Sequence, residues 1–398
     1  MEDEWSVGVG DGPARSKVLS TAMSVGRRGR RWFILIFPLL ALFLLLGILW
    51  LLAERTQAVH LVEDHWERDP GRYAGAKACR ECHAQIVTDQ LASNHAQTVR
   101  SLSRTQPRAP FGNGQEVVDP SNGARYGTSR GDREPKLTLT AGSLTASQPL
   151  EWEFGAGNHA FGYLTRADSG AWIDARLNYY PKAGKWDFTS SQDKPQKYLL
   201  EQPMGRPRNP EEVFRCFACH ATVIRAEGAR GTGPLDPATL EIRPDRSELN
   251  VGCESCHGPR AEHVREFRTG KRVSAKQDWS GPAMNRICGK CHGLNNIEAS
   301  HPVIARFQPW ALAQSRCFQE SSGKLTCSTC HNPHQNASRQ RTFYEAKCLT
   351  CHSGAPRSGG KTVCPKGRTT GCVGCHMPAD SQSMLHVTFV DHRIRVVK

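Results

Sequence analysis

Apolar positions follow three different patterns along this chain. From Trp32 to Leu52 they run unbroken: WFILIFPLLALFLLLGILWLL carries no charge over 21 residues, and a helix of that length spans about 30 Å of hydrocarbon. Between residues 116 and 210 they alternate with polar ones: Leu137 and Leu139, then Leu150, Trp152 and Phe154, then Ile173, Ala175, Leu177 and Tyr179, then Trp186 and Phe188. A period of two predicts half-buried strands. Gly155, Gly157, Gly162, Gly170 and Gly184 fall between these runs as turns. From residue 211 to 398 neither pattern persists, and short helices alternate with loops rich in Gly, Pro and charge. That stretch has too few apolar side chains for a conventional core of its size.

Arg15, Lys17, Arg27, Arg28, Arg30 and Arg31 precede the apolar run. The positive-inside rule then leaves residues 1–31 as a cytoplasmic basic tail and exports everything after Leu52. Trp32 and Trp50 stand at the two interfaces. A cleaved signal peptide has a shorter apolar region, typically about 7 to 15 residues, and a small-residue cleavage site that is poorly represented before Glu54. The pattern predicts a retained single-pass anchor over 32–52 in the inner membrane. Arg30-Arg31-Trp32-Phe33 has the outline of a twin-arginine signal, but those arginines also serve as topology determinants. Residues 53–70 read as a charged tether ending in the turn Asp69-Pro70-Gly71.

Cysteine carries the chemistry. Cys79/Cys82/His83, Cys216/Cys219/His220, Cys253/Cys256/His257, Cys288/Cys291/His292, Cys327/Cys330/His331, Cys348/Cys351/His352 and Cys372/Cys375/His376 all read Cys-x-x-Cys-His. Sixteen Cys and sixteen His scattered over 398 positions would give about 0.03 such matches by chance. The motif attaches c-type haem, with two sulfurs bonded to the porphyrin edge and the adjacent imidazole on the iron. Seven motifs predict seven covalently attached haems. They mark 71–115 as a first haem segment and 211–398 as a six-haem domain, on either side of the strand-rich insert 116–210. Zinc is the rival, since Cys-x-x-Cys knuckles also build tetrahedral sites. A knuckle leaves the trailing residue free, however, and here it is His every time. A disulfide framework suits such close pairs less well still.

Only Cys317 and Cys364 lie outside the motifs. In the oxidising space where c-type cytochromes mature, they read either as one disulfide or as two buried thiols. The formal charge of +14 is matched by haem propionates, two per haem, so internal pairing explains the basic balance. No nucleic-acid-binding motif appears. Seven porphyrins also supply the apolar volume that the chain lacks, so the apo-protein is expected not to fold.

An iron with His on both sides passes electrons, whereas one with an open sixth position binds substrate. Nine histidines lie outside the motifs: His60, His65, His95, His159, His263, His301, His334, His386 and His392. His60 and His65 sit in the tether and are set aside, which leaves seven candidates for seven irons. Twelve residues of helix separate His83 from His95 by about 18 Å, while two nitrogens across one iron are roughly 4 Å apart. His95 must therefore serve another haem. His263 lies close behind His257, and His334 close behind His331 across Pro333, so each reaches a neighbour's iron. Met204 and Met377 are substitutes for a histidine, although Met377 adjoins a proximal His and cannot turn back to the same iron.

The surroundings of the motifs resemble the cytochrome c554/c-prime family. The resemblance covers residues 71 to 398. It rests on Tyr73-Ala74-Gly75 ahead of Cys79 with Asn94-His95 after it, and on Cys253-Glu254-Ser255-Cys256-His257-Gly258-Pro259 with His263. It rests also on Ser315-Arg316-Cys317-Phe318 leading to Cys330-His331-Asn332-Pro333-His334, and on Cys375-His376-Met377-Pro378 with Asp391-His392-Arg393-Ile394. The family implies a mainly helical fold with stacked haem pairs, mostly bis-histidine ligation and periplasmic electron transfer, in some relatives beside hydroxylamine oxidation. It implies His95, His263, His334 and His392 as distal ligands. The chain departs from it by carrying seven motifs where the namesake carrier has four, and by its anchor and insert.

The expected fold is therefore mainly α, with extensive loops around a stacked haem core, a small antiparallel β insert and a single N-terminal transmembrane helix. The expected function is a membrane-anchored heptahaem cytochrome c that relays electrons between a quinone-linked or other membrane partner and a periplasmic redox protein. The alternative is an enzyme acting on a small nitrogen or sulfur compound at one open haem. Nitrite reductases of this kind mark that haem with Lys in place of the motif His. Here Lys290 lies inside an ordinary motif, and the tyrosine that hydroxylamine chemistry requires is not singled out among Tyr163, Tyr179, Tyr180 and Tyr344.

Overall fold

The computed structural model describes residues 44, 45, 47, 70–131, 134–224, 226–227, 241–244, 248–271, 277–293, 305–352, 364, 368 and 370–395. Backbone contacts divide the chain into two units, Met1–Ala58 and Val59–Lys398. In the first unit only Leu44, Leu45 and Gly47 are described, all helical. The rest of the Trp32–Leu52 run, the basic tail, His60, His65 and His301 lie outside the described residues.

The fold corrects the expectation of a mainly α protein with a small sheet and one N-terminal transmembrane helix. Helix accounts for 35% and strand for 22%, the latter in several sheets. No helix among the described residues is long and apolar enough to cross a membrane. The helical share is limited because the motif helices are short, five residues in Cys253–His257 and in Cys372–His376. Strand pairing also extends beyond the insert, upstream to Val99–Ser101 and downstream to Ala221–Val223 with Glu248–Leu249.

Eleven strands run through the region between the first two motifs: β1 (Val99–Ser101), β2 (Val117–Val118), β3 (Arg125–Ser129), β4 (Lys136–Ala141), β5 (Leu144–Pro149), β6 (Trp152–Phe154), β7 (Gly162–Arg166), β8 (Trp172–Ala175), β9 (Leu177–Tyr180), β10 (Lys185–Phe188) and β11 (Gly205–Arg208). Strands β2 to β5 form a meander, β9 and β10 a hairpin, and β1-β6-β7-β8-β11 a five-stranded antiparallel sheet. Alternation places Leu137 and Leu139 inward from β4, against Tyr126, Tyr163, Phe188 and Met204. Met204 is thus a core side chain. The run from Ile173 to Tyr179 is split in two at Arg176. That side chain is buried, ion-paired with Asp119, and its guanidinium lies 4.7 Å from the Tyr126 ring centre and 4.8 Å from that of Phe188. Gly162 opens β7 rather than making a turn.

Eleven helices complete the described chain: α1 (Gly75–Arg80), α2 (Ala84–Leu91), α3 (Pro210–His220), α4 (Cys253–His257), α5 (Ala261–Arg268), α6 (Gly281–His292), α7 (Gln308–Ala313), α8 (Arg316–Glu320), α9 (Cys327–Cys330), α10 (Arg341–His352) and α11 (Cys372–His376). Helix α3 begins at a complete capping box, Asn209 with Glu212, and has Pro210 in its first turn. Val213, Phe214 and Phe217, spaced for one helical face, pack against Trp152, Leu164 and Trp172 of the sheet. The Trp152 and Phe217 rings meet edge to face at 4.9 Å. The second motif is thereby fixed to the sheet by the helix that carries it.

Candidate functional site

On a helix, residues i, i+3 and i+4 share a face, so a Cys-x-x-Cys-His run presents both sulfurs and the imidazole to one side. Each of the seven motifs lies in a helix or at its end. These helices touch in series: α1 packs on α4, α3 on α6, α6 on α9, α9 on α10 and α10 on α11. Thiols of different motifs meet at three of these contacts, Cys79 with Cys253, Cys219 with Cys291, and Cys288 with Cys327. The Cys253 contact and burial push the Cys79 thiol up. Burial, the largest influence on each, raises Cys216 to about 12 and Cys256 to about 11.

The helices enclose a cavity of about 3250 Å³, several times the roughly 300–1,000 Å³ of a single small-molecule pocket. Cysteines and histidines of the second to seventh motifs line it. Lys290, Arg306, Arg316, Lys324, Arg339, Arg341, Lys347, Arg368, Arg393 and Arg395 line it as well, and among the described lining residues Glu320 is the one carboxylate. A cavity walled by apolar edges and cations suits flat apolar groups that carry carboxylates.

Cys82 of the first motif is exposed and stands outside the cavity wall, as do Cys79 and His83. The physical reason is local: α1 ends at Arg80, and the chain turns before Cys82, whose N–H reaches Cys79 O at 3.3 Å while that of His83 reaches it at 2.9 Å. Cys79 faces α4, and Cys82 is left at the surface. A thioether at Cys82 would therefore sit at the edge of the molecule, with the first haem beside the cavity rather than within it. Cys351 and Cys375 are also exposed, but both line the cavity.

Imidazole rings face one another across this space in three places. The centres of His95 and His292 are 6.2 Å apart, those of His257 and His334 6.1 Å, and those of His331 and His392 6.3 Å. Two nitrogens bound to one iron lie roughly 4 Å apart, and about 1.1 Å more from each nitrogen to its ring centre gives about 6.2 Å. Each pair thus has the spacing of two axial ligands on one iron. In each, a motif histidine meets a spare histidine from another segment. The His257 and His334 rings are nearly parallel, at 6°, whereas those of His95 and His292 are inclined at 69°.

Hydrogen bonds orient several of these rings. Nδ1 of His392 is 2.8 Å from the Val390 carbonyl, that of His376 is 2.7 Å from Arg395 O, and that of His220 is 3.1 Å from Thr98 O. A backbone acceptor makes Nδ1 the donor and leaves Nε2 free to bind metal. The His95 ring is hydrogen-bonded to the Pro333 backbone. Burial lowers the pKa of His95, His220, His257, His331 and His392. Burial, reinforced by His95 and His220, brings His292 down to about 4. Imidazoles held neutral are in the form that binds metal.

The remaining candidates are placed differently. His263 lies on α5, which Arg268 ties to Glu81 of the first motif at 2.7 Å, and its Nδ1 is buried without a partner. His159 lines the cavity 5.0 Å from the Phe389 ring. It sits in a tight loop where Gly155 takes φ +120° and a Cβ would lie 2.2 Å from Ala160 O. His386 stands outside the cavity wall, with Nε2 2.7 Å from Asp187 Oδ2. Met377 lines the cavity directly after His376. Cys317 and Cys364 line it without a disulfide between them. Of the four tyrosines, Tyr344 alone lines it, 5.4 Å from the His331 ring.

The residues fit the group that the motifs imply. Fourteen motif cysteines would bond the porphyrin edges, the motif histidines and the facing spare histidines would hold iron, and the cavity cations would pair with propionates. The group supplies reversible one-electron chemistry. Zinc needs four converging donors, and among the described residues no three His, Cys, Asp or Glu side chains converge on a metal position. Sequence reasoning passed over Thr98 and Glu254, and it identified the cations only as a total. Glu254 could have been noticed as a charge inside a motif; nothing in the sequence marks Thr98.

A family model described as cytochrome c554 and c-prime matches residues 178–258, which hold the second and third motifs. The multiheme cytochrome MtrA of Shewanella baltica (strain OS185) is 22% identical over 216 residues, spanning 43% of this chain and 62% of that protein. The crystal structure of the outer cell wall cytochrome OcwA aligns over 82% of this chain and 80% of that one, at 13% identity and a TM-score of 0.43. With the motifs, the facing imidazoles and the matched family in agreement, the chain is a multihaem c-type cytochrome that resembles the cytochrome c554 and c-prime family.

Proposed function

We propose that the protein is an electron relay bearing seven c-type haems, one per motif, and that it works outside the cytoplasm between redox proteins or a quinone-linked complex and an oxidoreductase. The observation that carries this reading is the three imidazole pairs at 6.1 to 6.3 Å. Iron closed on both faces exchanges electrons and binds no substrate. The packing of motif helices on one another supports it, because thiols of different motifs meet at three of the five helix contacts.

Two measurements test the count and the relay. Pyridine haemochrome with intact mass should give seven haems per chain, and a motif with free thiols would contradict the count. Stopped-flow oxidation of the dithionite-reduced protein by a ferric cytochrome c should empty all haems with no isolated slow fraction. A slow fraction would break the relay. The enzyme reading keeps one support: among the described residues no second imidazole ring lies in contact with His83, His220, His352 or His376.

A further inference from the structure

Glu254 sits between the cysteines of the third motif and is 5% exposed. Its Oε1 accepts hydrogen bonds from Ala74 N at 2.9 Å and Arg260 N at 2.7 Å, and its Oε2 from Gly75 N at 2.9 Å. Ala74 and Gly75 open α1, which carries Cys79, about half the chain away in sequence. A side chain of one haem motif therefore holds the helix of another. The fit is close: Gly75 adopts φ +76°, and a Cβ there would lie 2.8 Å from Glu248 Oε1. Helices α1 and α4 pack directly, and the thiols of Cys79 and Cys253 touch. The Glu254 charge also opposes ionisation of both thiols, so its field reaches both attachment points.

We propose that Glu254 is a positioning residue shared by the first and third haem sites, locking α1 onto α4 through two backbone hydrogen bonds and lowering both reduction potentials with its buried charge. Charge-assisted bonds of this geometry are strong, and a charge away from water acts over a longer range than one at the surface. A negative charge stabilises the ferric state over the ferrous state, and neighbouring hydrogen bonds and burial tune haem potentials in general. The inference rests on the haem-bearing reading above.

The test is potentiometric titration of the fully loaded full-length protein against Glu254→Gln and Glu254→Asp. In the Gln variant two one-electron steps should rise by a tenfold or larger change in equilibrium constant, about 59 mV each, with the others unmoved and the haem count unchanged. The Asp variant, which keeps the charge, should retain the wild-type potentials. Unmoved potentials in the Gln variant overturn the proposal, as does an equal shift in both variants or a shift spread over every haem. If the Gln variant loses haem, peptide mass mapping decides: loss at the first and third motifs with full loading of the Asp variant supports the shared role, and loss elsewhere refutes it. Failure of the relay reading would show separately, as a ligand-binding high-spin signal in the unmodified protein.

Discussion

A histidine's place in the sequence marks it as a candidate ligand; its partner is set by tertiary structure. His95, too far from His83 along a helix, and His334, too close behind His331, were legible as spare imidazoles for another motif, and His392 was implied by the family resemblance. Which motif each faces, His292, His257 and His331 respectively, depends on how the segments interlock, and no local pattern encodes that. The exposure of Cys82 was equally hidden, because its motif reads like the other six and only the early end of α1 turns it outward. His334→Ala should leave every haem attached and convert one low-spin haem to high spin, read by visible and EPR spectra; an unchanged spectrum removes it as a ligand. His386→Ala should create no high-spin haem, because its Nε2 is held by Asp187. Asp187 is held below the ordinary carboxylate range: burial opposes this, but Lys185, His386 and the Phe188 N–H outweigh it. A depressed carboxylate contributes stability above its unfolded pKa and loses it as pH falls through the folded one. Hydrogen exchange of residues 383–392 should therefore accelerate in acid below about pH 4, and the Asp187→Asn variant should lose that acid response.

At the scale of elements, alternation was read correctly wherever the core decides it. Leu137 and Leu139, Trp152, and Trp186 with Phe188 all fall on strands. The single strand expected through Arg176 failed because a buried ion pair with Asp119 bends the chain there, a long-range contact that periodicity cannot display. The share of strand was underestimated for a related reason: short strands such as Val99–Ser101 owe their pairing to partners about 50 residues away. The joint between α3 and the sheet supports the second motif. Phe214, 4% exposed there, should cost about 3–5 kcal/mol when replaced by Ala. Asn209→Ala should cost about 1 kcal/mol. Thermal or denaturant unfolding of the haem-loaded protein measures both, and a loss below about 1 kcal/mol for Phe214→Ala would mean that α3 is held by its haem alone.

For the whole molecule, the seven motifs announce the chemistry and the packing explains why so lean a chain holds together. The cavity of about 3250 Å³ between motif helices is volume that side chains do not fill, and its described lining holds ten Lys and Arg side chains and one carboxylate. Cofactors of matching shape and charge complete that core. Protein made without haem attachment should accordingly lack cooperative unfolding and fixed tertiary signals in near-UV circular dichroism; a native-like apo spectrum would contradict this. On the proposed reading, facing histidines close the irons and make a relay. Low-temperature EPR of the purified, oxidised protein, quantified against total haem and repeated with nitrite or hydroxylamine, tests it most directly. The account predicts low-spin ferric signals unchanged by either ligand. A high-spin signal that shifts on ligand addition would contradict it and identify an open, catalytic iron.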